Sequence, residues 1–446
     1  MAGGAVRGAR LGEVLFPMAP VWSRAQAVRD RWVVAAAALV SLIGLVLWRG
    51  SPSPADYLWA EDGTVFLHDA ATLPFPATVL RPLAGYAHVV PRLLVALVVH
   101  APVAQWALLV AVSAAVVRVG VAVLVWHATA GAVPSRWMRS AIAVVVVTLP
   151  AGSLEVLDSI ANLHWFLLVG AVVAALWTPR GLGGRVVQTL ALALAVLSDP
   201  VAIGILAVLL CRAVLLRKRS EWLLLGLVSA AAVVQLWVVH ESGGRAVQDG
   251  NTVWQTGQVY AVRVAFLSVL GPSLGQRFHS VPVVAAVLAA LAVVLAVGVL
   301  RRSRAQAFVW FAMLASLGLF AAAMLYLPRD PLFVPNFAFT SGYALRYMVA
   351  PMILLLGAFV ASGVSVLALP RGRMIVLPIA AAVVAVYLAG VVVTFREPAA
   401  TTVPAFRDQV AAAQAGCRAG MPDGRITVEP FAWELRLPCS VLVRGG

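Results

Sequence analysis

The stretch Trp32–Ala70, WVVAAAALVSLIGLVLWRGSPSPADYLWAEDGTVFLHDA, decides how this chain is read. Its first part, Trp32 to Trp48, is an apolar run that reads as a membrane helix, and its second, Ala55 to Ala70, packs four carboxylates (Asp56, Glu61, Asp62, Asp69) among apolar residues. The run is too long for a signal-peptide core and is followed by Ser51-Pro52-Ser53-Pro54, not by a small-residue cleavage site, so a retained first helix is expected. Acids half-buried at a membrane surface are costly without a partner. The cluster beside Trp59 and Phe66 therefore points to a site, with a solvated outer loop as the plainer alternative.

Working outward, a chain of 446 residues that is 62% hydrophobic and 11% charged has more apolar residues than one soluble core can hide. The other long apolar runs also read as spans, which predicts an all-α polytopic membrane protein of about eleven helices. The formal charge of +15 is explained by orientation. Arginines crowd the N-terminus and the connections at 136/139, 180/185, 212–219, 301–304 and 371/373, which the positive-inside rule makes cytoplasmic. Only Glu13, Asp30 and Glu221 oppose them there, and the basic excess on that side equals the whole net charge. No basic surface is left over for nucleic acid. A single lysine, Lys218, among 33 basic residues marks the codon bias of a GC-rich genome of the actinobacterial kind.

This map gives a cytoplasmic segment 1–30, a transmembrane unit 31–395 with outer loops 50–88, 152–164, 241–280 and 327–345, and a small extracytoplasmic tail 396–446. The expected location is the plasma membrane, with the N-terminus inside and the C-terminus outside. Residues 89–101 read as a short juxtamembrane helix. The pairs 140–151 with 165–178, and 186–197 with 201–216, are too short to cross about 30 Å of hydrocarbon comfortably, so their outer turns are expected below the surface in a protein-lined cavity. An amphipathic piece is expected near Val253 to Leu270. In the tail a helix near Pro404–Ala415 precedes a strand-like ITVEPFAWELRLPC, and an oxidising compartment would join Cys417 to Cys439. The tail could then cap a cavity or meet a glycan through Trp433. Cys211, in an apolar run, reads as a buried thiol.

Helical phase from Trp59 puts Trp59, Gly63, Phe66, Leu67 and Ala70 on an apolar stripe with Asp62 and Asp69 at its edge, and Glu61, Thr64 and His68 opposite. Asp62 would then look along the membrane–protein boundary and could take a proton as a general base; helix capping is the alternative. Glu155, Asp158, Ser159 and Asn162 recur as one polar helical face followed by His164, suited to hydroxyl-rich ligands or a metal, or to plain solvation. Asp199, before Pro200, reads as a turn or cap residue. Arg346, flanked by Tyr343 and Tyr347, and Arg92 after Pro91 are candidates to grip a phosphate, against snorkelling to lipid headgroups. His88 closes the first loop beside them, while Arg118, in mid-span, calls for a buried acid or carbonyl partner. No Walker loop, HExxH or CxxC pair is present.

This layout, with WAEDG (Trp59–Gly63) directly after the first helix and Arg346-Tyr347 at the outer end of a late one, resembles the GT-C glycosyltransferases over most of the chain. The resemblance implies sugar transfer on the outer face from a polyprenyl-phosphate-linked sugar, embedded among membrane lipids, to a glycan, lipid or protein acceptor of the cell envelope. It implies a catalytic role for Asp62 with Glu61 as neighbour, and a divalent cation, Mg or Mn, for which Asp62 is the candidate ligand. Substrate contacts are expected from Arg346, Tyr347, Arg92, His88, Glu155, Asp158, Asn162 and His164. The short tail and the missing tryptophan-rich motif of oligosaccharyltransferases depart from the pattern. A transporter or flippase of a lipid-linked or small polar substrate, and a non-catalytic membrane scaffold, are the other readings.

Overall fold

The computed structural model describes residues 11–47, 56–152, 156–243, 252–325, 345–369, 375–396, 403–430 and 433–443. The apolar runs form helices because a segment in hydrocarbon must satisfy its backbone internally. In chain order these are α1 (Arg24–Leu47), α2 (Val89–Val98), α3 (Trp106–Ala128), α4 (Arg136–Thr148), α5 (Leu163–Leu176), α6 (Leu182–Val196), α7 (Ile205–Leu216) and α8 (Arg219–Glu241). After them come α9 (Val253–Val259), α10 (Leu267–Arg277), α11 (Val281–Leu300), α12 (Gln306–Met324), α13 (Val349–Leu367) and α14 (Val376–Arg396). Seven helices among the described residues are long and apolar enough to cross a membrane: Arg24–Leu47, Val103–Gly131, Arg219–Glu241, Val281–Leu300, Gln306–Met324, Leu345–Leu367 and Val376–Arg396. The protein is an all-α polytopic membrane protein.

Helix α13 is its axis. It is apolar on every side, is buried from Val349 through Phe359 and again at Ala361 and Val366, and packs against α11, α12, α4 and α5. By contrast α1 buries only Asp30, Leu45 and Val46 and leans on α3. The short helices α4 to α7 reach only about 18–23 Å at 1.5 Å per residue, so their connections sink into the bundle. Asn162, His164 and Asp199, which lie at those connections, are all buried. Arg118 in α3 finds a carbonyl: its Nε donates to Val146 O at 3.0 Å while the guanidinium lies over Phe166.

Several expectations change on packing. Residues 156–162 form turns, not a helix, with Asp62 capturing the backbone N–H groups of Ile160 and Ala161, so Asp158, Ser159 and Asn162 share no helical face; Glu155 lies outside the described residues. The piece at 253–270 is α9 joined through a π-helical turn (Tyr260–Phe266) to α10. Cys211 is exposed on the outer surface of α7, since Leu209 and Ala213 supply the face that packs.

The tail is bound to the first loop. Helix α15 (Phe406–Arg418) covers an antiparallel hairpin, β1 (Asp423–Val428) and β2 (Trp433–Pro438), with the Cys417–Cys439 disulfide across its base. The single strand expected over 426–439 is thus split in two around Glu429-Pro430, as a hairpin pairs backbone groups that one strand leaves open. Glu429 N donates to Leu58 O at 2.9 Å, Ala60 N donates to Glu429 O, and His68 Nδ1 donates to Arg436 O at 2.8 Å. A Cβ at Gly63 would stand 3.0 Å from Val428, so glycine lets the hairpin seat on the acidic segment. Trp433 is 41% exposed and stays on the surface.

Candidate functional site

The helix that carries WAEDG widens to a π turn over Asp62–Leu67 before returning to α geometry at His68–Thr72. Asp62, Gly63, Phe66 and Leu67 form its buried side. That side faces protein, not the membrane boundary. Asp62 is fully enclosed: Oδ1 accepts from Ala161 N at 2.8 Å and from Ser159 Oγ at 3.4 Å, and Oδ2 accepts from Ile160 N at 3.2 Å. Burial, reinforced by the Glu61 charge beside it, pushes its carboxyl up to about 8 against the pull of these three donors. Asp62 therefore pins the turn that leads into α5. Its surroundings are donors, which suit a carboxyl group and not a cation, so the expected Mg or Mn ligand role does not fit. Among the described residues no three His, Cys, Asp or Glu groups converge as a metal site.

Glu61, one residue earlier, lines a cavity of about 500 Å³ together with His88, Asn162, His164, Arg346 and Tyr347. Its Oε2 is shielded from solvent and has no hydrogen-bond partner among the described residues. Arg346 enters from a 3₁₀ turn, Leu345–Met348, that opens α13, its guanidinium 5.4 Å from the Tyr347 ring centre. The structure thus brings Glu61 and Arg346 to one cavity and leaves Asp62 behind its wall.

The imidazoles are held in fixed orientations. His164 Nδ1 donates to Asp199 Oδ2 at 2.7 Å, while Asp199 Oδ1 caps the following turn by accepting from Val201 N at 2.8 Å. Asp199 is the cap residue that the Asp-Pro step suggests, and it also fixes His164 with Nε2 as the remaining nitrogen. His88 stacks on Tyr86 at 4.3 Å and meets His164 edge-on at 5.6 Å. Burial first, then the nearby His164, holds the His88 pKa well below the usual histidine range, and its Nδ1–H donates to Tyr86 O at 3.2 Å. His164, Trp165 and Tyr347 continue this aromatic wall, with ring centres 4.3 and 5.1 Å apart.

A tight turn completes the rim. Ala84 and Gly85 both have positive φ (52° and 87°), and Leu83 and Tyr86 exchange backbone hydrogen bonds of 3.0 and 3.3 Å, the geometry of a two-residue hairpin turn. Gly85 adopts this at no steric cost, whereas Ala84 is held there at some strain. Gln235 anchors the next residue, accepting from Ala87 N and donating to Ala87 O. Across the wall shared by Tyr86, Trp165 and Tyr347 lies a second cavity of about 370 Å³, mostly apolar, lined by Ile203, Leu236, Val239, Leu319 and Ala323, with Asp199 at its edge.

Arg92 is not on either wall. It is 1% exposed, its Nη1 lies 2.7 Å from Asp69 Oδ2, and its guanidinium covers Phe66; Asp69 Oδ1 takes Arg81 at 3.0 Å. A cation already paired and enclosed in this way serves the loop's structure, which corrects its expected place as a phosphate ligand. Asp158 is half-buried and lines neither cavity, and instead borders a small gap beside Arg118 and Phe166. Sequence reasoning missed Asp199 as the partner of His164, and Tyr86 and Trp165 as the wall. No local pattern links positions 164 and 199; only the buried Ser198-Asp199-Pro200 turn hinted at it.

The fold and site define an all-α membrane protein with an amphiphilic chamber at one end of the bundle, half polar and half apolar. No protein-family model matches the chain, and no curated protein matches it. Among solved structures it is similar to the crystal structure of the Archaeoglobus fulgidus oligosaccharyltransferase complex with Zn and sulfate, at 15% identity over 88% of this chain and 56% of that one, TM-score 0.44. It is also similar to the archaeal oligosaccharyltransferase AglB from Archaeoglobus fulgidus in complex with an inhibitory peptide and a dolichol-phosphate, at 13% identity over 90% and 59%, TM-score 0.41. The chain spans little more than half the length of those proteins.

Proposed function

We propose that the protein is a membrane glycosyltransferase of the GT-C type that moves a sugar from a polyprenyl-phosphate donor to a cell-envelope glycan, lipid or protein acceptor on the outer face of the plasma membrane. The observation that carries this reading is a pair of cavities sharing the Tyr86, Trp165 and Tyr347 wall, one lined by a carboxylate (Glu61) and a guanidinium (Arg346), the other mostly apolar. A lipid-linked sugar phosphate has the same division: an apolar chain, an anion and a hydroxyl-rich head.

In this reading Arg346 holds the phosphate, for which a guanidinium offers two parallel donors. Glu61 takes the proton from the acceptor hydroxyl. The acceptor oxygen then bonds to the anomeric carbon, the bond from that carbon to the phosphate oxygen breaks, and the polyprenyl phosphate leaves with the electron pair beside Arg346. His88, Asn162 and His164 supply hydrogen bonds to sugar hydroxyls, and Trp165 and Tyr347 offer aromatic faces to the ring. Asp62 acts through position: it fixes the 160–161 backbone just before Asn162 and His164.

The test is transfer of a labelled sugar from a synthetic polyprenyl-phosphate donor by membranes carrying the full chain. Glu61→Gln is expected to lower transfer at least 100-fold, within the range usual for a general base, with unchanged melting. Wild-type transfer by Glu61→Gln would sink the assignment. Movement of intact lipid-linked sugar across vesicles without cleavage of the sugar–phosphate bond would assign a flippase instead.

A further inference from the structure

At the end of the bundle opposite the chamber, α1 stands away from α4, and the gap between them is a groove floored by α3. Its volume is about 300 Å³, and it meets a further 250 Å³ stretch at Ser41 and Val147 that runs to Phe395 of α14. From Asp30 to Leu45 the groove follows α1 for about 22 Å at 1.5 Å per residue, more than the roughly 15 Å depth of one leaflet. The walls are almost wholly small and aliphatic, among them Val34, Ala38, Ala122 and Val144. The mouth differs: Arg29 and Arg136 stand at its rim, with Trp126 and Trp137 behind them. Arg29 is exposed and the Arg136 side chain is 44% exposed, whereas Asp30, 3.5 Å from Arg136, is sunk below the rim. Outward, the mouth therefore presents positive charge.

We infer that this groove is a binding site for an anionic glycerophospholipid, with the headgroup phosphate on Arg29 and Arg136 and one acyl chain lying between α1 and α4. Three features agree. A basic pocket between helices at a membrane surface attracts anionic headgroups. Trp137, 80% exposed, sits where aromatic rings favour the interface. Helix α1 buries few residues of its own, so a chain in the groove supplies packing that the protein leaves unmade. The inference is independent of the catalytic reading, since neither α1 nor α4 contributes to the chamber wall.

The experiment compares the purified full-length protein in mixed micelles containing phosphatidylglycerol or phosphatidylcholine, using native mass spectrometry and thermal melting. Phosphatidylglycerol is expected to remain bound and to raise the melting temperature above that in phosphatidylcholine. Inorganic phosphate is expected to have no such effect, which separates a lipid from a free anion. Arg29→Gln should weaken phosphatidylglycerol about fivefold, the contribution of one arginine at a surface. Ala37→Phe, filling the groove, should abolish retention while the protein still folds. Equal retention of the two lipids by the wild type, or an undiminished preference in both variants, overturns the proposal.

Discussion

The buried carboxyl of Asp62 makes the stability of the fold depend on pH in a defined direction. Its pKa in the folded chain is about 8 against an ordinary value of 3.8, with burial as the chief cause. Between those values the folded chain keeps a proton that the unfolded chain releases, so stability falls as pH rises and levels off above about pH 8. About four pH units at 1.36 kcal/mol each give a span on the order of 5 kcal/mol. Asp62→Asn removes this titration. It also sets an amide where the carboxyl accepts from Ile160 N, Ala161 N and Ser159 Oγ, and one misplaced donor costs about 1–3 kcal/mol at every pH. The variant should therefore be less stable than the wild type near pH 5, with the difference shrinking and then reversing toward pH 9. Melting followed by the fluorescence of the 14 tryptophans, in one detergent across that range, reads the difference directly, because titrations common to both proteins cancel. A variant-minus-wild-type difference that is flat from about pH 5 to pH 9 would refute the reasoning.

Other outcomes follow from the same geometry. Asp199→Asn removes the carboxylate that orients His164 and should lower sugar transfer about 10- to 100-fold, with little further loss in an Asp199→Asn/His164→Gln double variant; additive losses in transfer assays would separate the two residues. Asp69→Asn leaves the enclosed Arg92 without its carboxylate and should cost about 3–5 kcal/mol, seen as a lowered melting temperature, whereas loss of the exposed Arg81 should cost under about 1 kcal/mol. Reducing the Cys417–Cys439 disulfide opens a loop with a sequence separation of 22 and should destabilise the tail by about 3 kcal/mol, measured by protease cleavage within β1 and β2.

The apolar runs told most of the fold. Each long run became a helix, the first beginning at Arg24, ahead of the apolar run itself, and the short paired runs did sink their connections into the protein. The site was legible only in part. WAEDG drew attention to itself as a carboxylate cluster beside aromatic residues, yet helical phase set Asp62 toward the membrane and Glu61 away from it. The π turn and the docking of β1 and β2 on residues 58–68 decided otherwise, and neither has a signature near Trp59. Arg92 and Arg346 looked alike as isolated basic residues next to aromatic or proline neighbours. Their fates diverged because Asp69 lies within reach of one and the chamber of the other.

By itself the sequence determined that this chain is a bundle of membrane helices with an acidic loop after the first, because length and polarity must match the bilayer whatever the packing. Which acid faces the chamber, which histidine is held by Asp199 and which arginine is enclosed against Asp69 were decided only by the tertiary structure. Those choices rest on contacts between residues tens to hundreds of positions apart, such as Asp62 with Ala161 and Leu58 with Glu429, and no local pattern encodes them.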